Sequence, residues 1–165
     1  MNNEPWNKFS LAAMELVRKG QQINTRRSYI QALFEPSFDN PVLVQLNWKD
    51  KNVNWFRTTW LKTTETYDFS VTGSLKYFHH TPQPAIKYEN GEADISRIEK
   101  LILLIKGLSI APRIDTLKFF ALDGSNYTLT IGVDDVKTIY KWHTCPEEWQ
   151  DLQTIADMLY NLDSV

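Results

Sequence analysis

Residues 137–162, KTIYKWHTCPEEWQDLQTIADMLYNL, decide what kind of fold this chain adopts. The run reads as the end of a strand, Val136 to Trp142, delivered straight into an amphipathic helix that begins near Thr144 or Cys145. In that helix Trp149, Leu152, Ile155, Ala156, Leu159 and Leu162 recur on one inward stripe. Gln150, Asp151, Gln153, Asp157 and Asn161 are left outside. Thr144 with Glu147 matches a capping box, which ties both side chains to backbone amides and is worth about 1 kcal/mol. Pro146 sets the first turn and Trp149 anchors it. The segment therefore predicts a helix fastened onto a sheet.

Working outward, the chain opens with another helix. Trp6, Phe9, Ala13, Leu16 and Val17 share a face, and Arg18, Lys19 and Gly20 form a favourable end. Strands are expected over Ser28 to Glu35, Val42 to Lys49 and Val53 to Lys62, with a polar turn at Asp50, Lys51 and Asn52. Tyr67, Phe69 and Val71 alternate with polar residues, the period-two signature of a half-buried strand, and Leu75 to His80 extends the pattern before Pro82 and Pro84. A third helix is predicted from Asp94 or Ser96, where Ser96 and Glu99 match a capping box. Its apolar face runs from Ile95 to Ile105, and Gly107 with Leu108 forms a left-handed stop. Strands then follow at Thr116 to Leu122, Tyr127 to Val133 and Val136 to Trp142, the first two joined by a turn over Asp123 to Asn126. Strands in consecutive runs predict an α+β fold: a largely antiparallel sheet of about six to seven strands with three helices packed on it, in one domain spanning 1–165.

Composition narrows the function classes. The 165 residues are 42% hydrophobic, enough for a real core, and 18 basic against 20 acidic residues give a net charge of −2. No global field draws such a chain onto nucleic acid or an anionic membrane. The charge is uneven, since from Thr144 onward there are Glu147, Glu148, Asp151, Asp157 and Asp163 and no Lys or Arg. A single cysteine excludes an internal disulfide and a four-thiolate zinc site, and fits a reducing compartment. Without a signal-like N-terminus or a long apolar run, a cytoplasmic location with no membrane contact is expected.

The residues able to carry chemistry are few. Cys145 stands where a helix dipole favours a thiolate, with His143 two residues away and Glu148 close behind, so an enzyme using His143, Cys145 and Glu148 is one alternative. Two carboxylates at once after the thiol oppose its ionisation, and a lone Cys and His pair is a weak motif. His79 and His80 would point to opposite faces of a strand, and no metal-binding spacing, phosphate-cradling glycine loop or serine elbow is present. No cofactor is expected. The tryptophans raise another alternative. Trp48, Trp55 and Trp60 crowd one hairpin, with Trp55 and Trp60 on opposite faces of their strand. Either helices or a second copy cover both faces, or a ring is left free to stack on a ligand or anchor a partner.

The C-terminal pattern of Asp123 and Gly124, a strand ending in Trp142, then Pro146, Trp149 and a leucine-rich helix resembles small uncharacterised bacterial proteins. Some of these resemble immunity proteins, which neutralise a partner toxin by binding it. The resemblance covers the tail alone and implies a non-enzymatic protein binder. The first expectation is therefore a small protein-binding or regulatory protein without catalytic activity, its partner another protein such as a basic toxin. Glu148, Asp151, Asp157, Trp55 and Trp60 are its candidate contact residues.

Overall fold

The computed structural model describes residues 4–20, 28–63, 83–93, 95–109, 124–133 and 136–162. Among these are helix α1 (Glu4–Lys19), strands β1 (Ser28–Pro36), β2 (Val42–Lys49), β3 (Asn52–Trp60) and β4 (Ile86–Ala93), and helix α2 (Ile95–Gly107). Strands β5 (Ser125–Val133) and β6 (Val136–Trp142) follow, then a single 3₁₀ turn (Glu147–Trp149) and helix α3 (Gln150–Tyr160). The fold is α+β. All six strands join one antiparallel sheet in the order β4-β3-β2-β1-β5-β6.

Alternation along the strands sorts side chains onto two faces. Ile30, Ala32 and Phe34 of β1, Val42, Val44 and Leu46 of β2, Val53 of β3, and Leu129 and Ile131 of β5 form the larger core. Ile98 and Leu101 of α2 close it, together with Leu152, Ile155, Ala156 and Leu159 of α3. The opposite face carries a smaller core in which Phe9, Ala13 and Val17 of α1 meet Leu33, Leu43 and Trp60. Helices thus cover both faces of the sheet. The inward stripe of α3 follows the expected spacing, whereas Leu16 of α1 is 37% exposed and lies at the margin of its face. Between the two cores the α1 side also buries polar groups: Gln45 donates from Nε2 to Asn47 Oδ1 at 3.1 Å, both among hydrophobic strands.

Several local details explain where the elements stop. Gly20, at φ 51°, takes the left-handed turn that ends α1, and its amide reaches the carbonyls of Leu16 and Val17. The loop from β2 to β3 is only Asp50 and Lys51, with Asp50 at φ 55°, a conformation that aspartate tolerates. Lys62 braces the β1–β2 hairpin by donating to the Ser37 carbonyl at 2.7 Å; burial lowers its pKa, and the nearby Asp39 carboxylate opposes that shift.

Four expectations change. The Thr144–Glu147 capping box does not form: Pro146 occupies the N-cap in an extended conformation, and neither the 3₁₀ turn nor α3 has a side-chain cap. Pro146 disfavours a helical conformation at Cys145 before it, so the turn starts beyond that residue and closes through the Trp149 amide on the Pro146 carbonyl at 2.9 Å. The helix proper consequently starts at Gln150. Gly107 ends α2 without a positive φ, and the Leu108 amide donates to the Ile105 carbonyl at 3.3 Å. Strand β4, IKYENGEA, was not among the expected strands; it is an edge strand with little apolar alternation. The expected strands at 67–72, 75–80 and 116–122, and the pair His79 and His80, lie outside the described residues.

Candidate functional site

Helix α3 has two ends with different surroundings, and the candidate residues divide between them. At its N-terminal end Trp142, Tyr127, Tyr140 and Trp149 interlock. Tyr127 stacks on Trp142 with ring planes 3° apart, and Trp149 stands edge-on to both Tyr140 and Trp142. Trp142 is 7% exposed and donates its indole N–H to Gln153 Oε1 at 2.8 Å. This end is a filled clasp.

Cys145 sits inside that clasp. Its thiol donates to the carbonyls of Pro146 at 3.4 Å and Trp149 at 3.3 Å. Burial raises its pKa, a backbone hydrogen bond from Gln153 works against the rise, and the charge of Asp157 adds to it. A thiol that gives its proton to two carbonyls is held in its neutral form, the opposite of an activated nucleophile. His143 is turned elsewhere: its ring lies against Gly124, where a Cβ would stand 2.6 Å from Nε2, and Nδ1 is 3.3 Å from Asn126 Oδ1. Gly124 has φ 137°, so both backbone and space require glycine under that imidazole. His143, Cys145 and Glu148 are not assembled into a catalytic group by any hydrogen bond among the described residues. Those residues also contain no cluster of three metal-ligating side chains.

At the C-terminal end of α3 the packing opens into a cleft of about 500 Å³. Trp55 and Ala93 from the sheet, Ile98 and Leu101 from α2, Met158 from α3 and Leu162 just beyond it supply its apolar walls. Glu92, Thr154, Asp157 and Asn161 supply its polar groups. The sheet floor depends on a glycine. Trp55 pairs across to Gly91 in β4, and a Cβ there would stand 2.8 Å from the indole Nε1. Only the missing side chain lets the half-buried indole lie over the edge strand.

The same device recurs at the other side of the sheet, where Tyr29 lies over Gly132 of β5. Around the cleft, Arg57 donates from Nη2 to the Tyr160 carbonyl and sits 5.7 Å above the Tyr160 ring, which engages it with the helix end. Asp157 is oriented by Gln153, whose Nε2 donates to Oδ1 at 2.9 Å. Gln153 thus touches both ends, holding Trp142 with its oxygen and Asp157 with its amide.

Of the five candidate contact residues, Trp55 and Asp157 meet at this cleft. Glu148 and Asp151 are exposed on the outer side of the turn and helix, and neither is in an ion pair among the described residues. Trp60 is 1% exposed, sealed by Trp6 and Phe9 of α1, and presents no ring face to a partner. Trp48, Trp55 and Trp60 therefore do not make one surface. Glu92, Met158 and Asn161 belong to the cleft and had no signal in the sequence, because β4 and the packing of α2 beside α3 were needed to place them. No helix among the described residues is long and apolar enough to cross a membrane. No protein-family model matches the chain, and neither a curated protein nor a solved structure matches it.

Proposed function

We propose that the chain is a non-catalytic binding protein of immunity or regulatory type, acting in the cytoplasm, that recognises a basic protein through the outer side of α3. The observation that carries this reading is a line of polar side chains at helical spacing. Asp151, Thr154 and Asp157 follow one another down α3 at three-residue intervals, with Asn161 at its C-cap and Glu148 just ahead of them. All five are exposed. The last turn of α3 contains no basic residue of its own to offset these acids. Such a stripe attracts a basic surface and rejects an acidic one. The neutral, carbonyl-bound thiol of Cys145 supports the non-catalytic half of the reading.

The test is affinity capture from the protein's own cell, with the wild type and the triple variant E148Q/D151N/D157N immobilised side by side. A basic protein retained by the wild type, released by moderate salt and lost from the variant is the expected result. Equal retention by the two proteins, or a partner held regardless of salt, would put recognition elsewhere on the molecule.

A further inference from the structure

The cleft beside Trp55 has the dimensions of a small-molecule site and a composition that selects one kind of occupant. Its volume of about 500 Å³ lies within the range of sites that enclose small organic ligands. An apolar body is accommodated by Trp55, Ile98, Leu101 and Met158, the methionine being able to adjust to irregular shapes. The charged groups among the described lining are carboxylates, Glu92 and Asp157, with no lysine or arginine. Asp157 is already held in place through Gln153, and Arg57, which is not among the described lining, donates to the Tyr160 carbonyl at the end of α3. The last carbonyls of α3 are already occupied, that of Asp157 by the Asn161 amide and that of Tyr160 by Arg57, so selection for a cation rests on the two carboxylates. An anion would meet two like charges. A neutral apolar ligand would fill the walls but would crowd water away from two carboxylates without replacing it. A cation on an apolar stem meets both demands, and an indole face adds attraction for an ammonium group.

We infer that this cleft is a binding site for a small amphipathic organic cation, an aryl- or alkyl-ammonium whose apolar part lies against Trp55 and whose charge sits between Glu92 and Asp157. The cleft shares Asp157 with the acidic stripe of α3 but does not include Glu148 or Asp151, so changes at those two residues test the protein partner apart from the cation.

Isothermal titration of the full-length chain with three probes sharing one skeleton tests this directly: 4-phenylbutylammonium, 4-phenylbutan-1-ol and 4-phenylbutyrate. The ammonium is expected to bind at a single saturable site, with the alcohol about tenfold weaker and the carboxylate weaker still. D157N and E92Q, both changes at exposed positions that leave the core intact, are each expected to weaken the ammonium several-fold without altering the alcohol. E148Q, outside the cleft, is expected to change neither. Absence of saturable ammonium binding, equal affinity for ammonium and alcohol, or ammonium binding unchanged in both D157N and E92Q would overturn the inference. Loss of protein capture with intact ammonium binding in E148Q/D151N separates the two proposals.

Discussion

The two ends of α3 are built from the same materials and do opposite things with them. At the N-terminal end Trp142 and Trp149 interlock with two tyrosines, and even the thiol of Cys145 finds carbonyl partners. At the C-terminal end Trp55 has a glycine on one side and open space on the other, and the carboxylates around it have no cation within the described lining. Tryptophan, cysteine and histidine close together in a sequence invite a reading as a reactive centre. In three dimensions the tryptophans and the thiol make a fastening while the histidine turns away, and the open cleft lies where the sequence offers one tryptophan and scattered acids. A polar or aromatic side chain whose bonding capacity is used up by the fold is structural; one left facing a void is available.

The contrast can be broken most forcefully by removing a ring from each end. Trp142→Ala deletes a buried ring, a stack and an indole hydrogen bond, and should cost about 3–5 kcal/mol of unfolding free energy in a denaturant titration. Trp55→Ala, at a half-buried ring beside open space, should cost clearly less. Similar losses at the two positions would mean that the cleft end is packed as tightly as the clasp.

A smaller effect is expected at Gly91. Gly91→Ala pushes a methyl into the indole of Trp55 and should destabilise the protein by about 1 kcal/mol. In a Trp55→Ala background the same change should cost almost nothing, because the clash is gone. An additive double variant would show that Gly91 serves the backbone and has no part in seating the ring.

Cys145 sharpens the comparison through pH. Its pKa is raised in the folded protein, mainly by burial, so between the ordinary thiol value and the folded value the native state binds more protons than the unfolded chain. Stability from this group is complete below the ordinary thiol value and falls as pH climbs through the folded pKa. Cys145→Ser should flatten that alkaline decline, and alkylation of the native wild type at neutral pH should be slow. Fast alkylation, or an alkaline slope identical in the two proteins, would reopen the clasp as a reactive site.

The smallest effect on stability belongs to the outer acids. E148Q and D151N should leave the thermal midpoint nearly unchanged while removing the captured partner. A large drop in the midpoint would mean that these carboxylates hold the fold together.

The parts of this molecule legible in its sequence are those governed by short-range periodicity. The inward stripe of α3, the alternation of β1 and β2 and the glycine stop of α1 repeat over a few residues and survive into the fold. Trp55 and Trp60 were separable onto opposite faces by counting, and both faces do have helices on them. What stayed hidden depends on contacts between distant segments. Strand β4 holds its edge position through pairing with β3, and its Asn-Gly-Glu core has no strand-like pattern of its own. The cap at Thr144 and Glu147 satisfied a spacing rule but met a proline that moved the helix start. The cleft needs β3, β4, α2 and α3 together, so Asp157 was legible as an exposed acid and not as the neighbour of Trp55.

Indole N–H resonances give the most direct measurement of the difference between the two ends. The chain has six tryptophans, each with one such signal in a ¹H–¹⁵N spectrum, assignable by single replacements with phenylalanine. On titration with 4-phenylbutylammonium the Trp55 signal should move and saturate, while those of Trp142 and Trp149 hold still. Movement of the Trp142 or Trp149 signals with Trp55 unchanged, or no movement at any of them, would contradict the account.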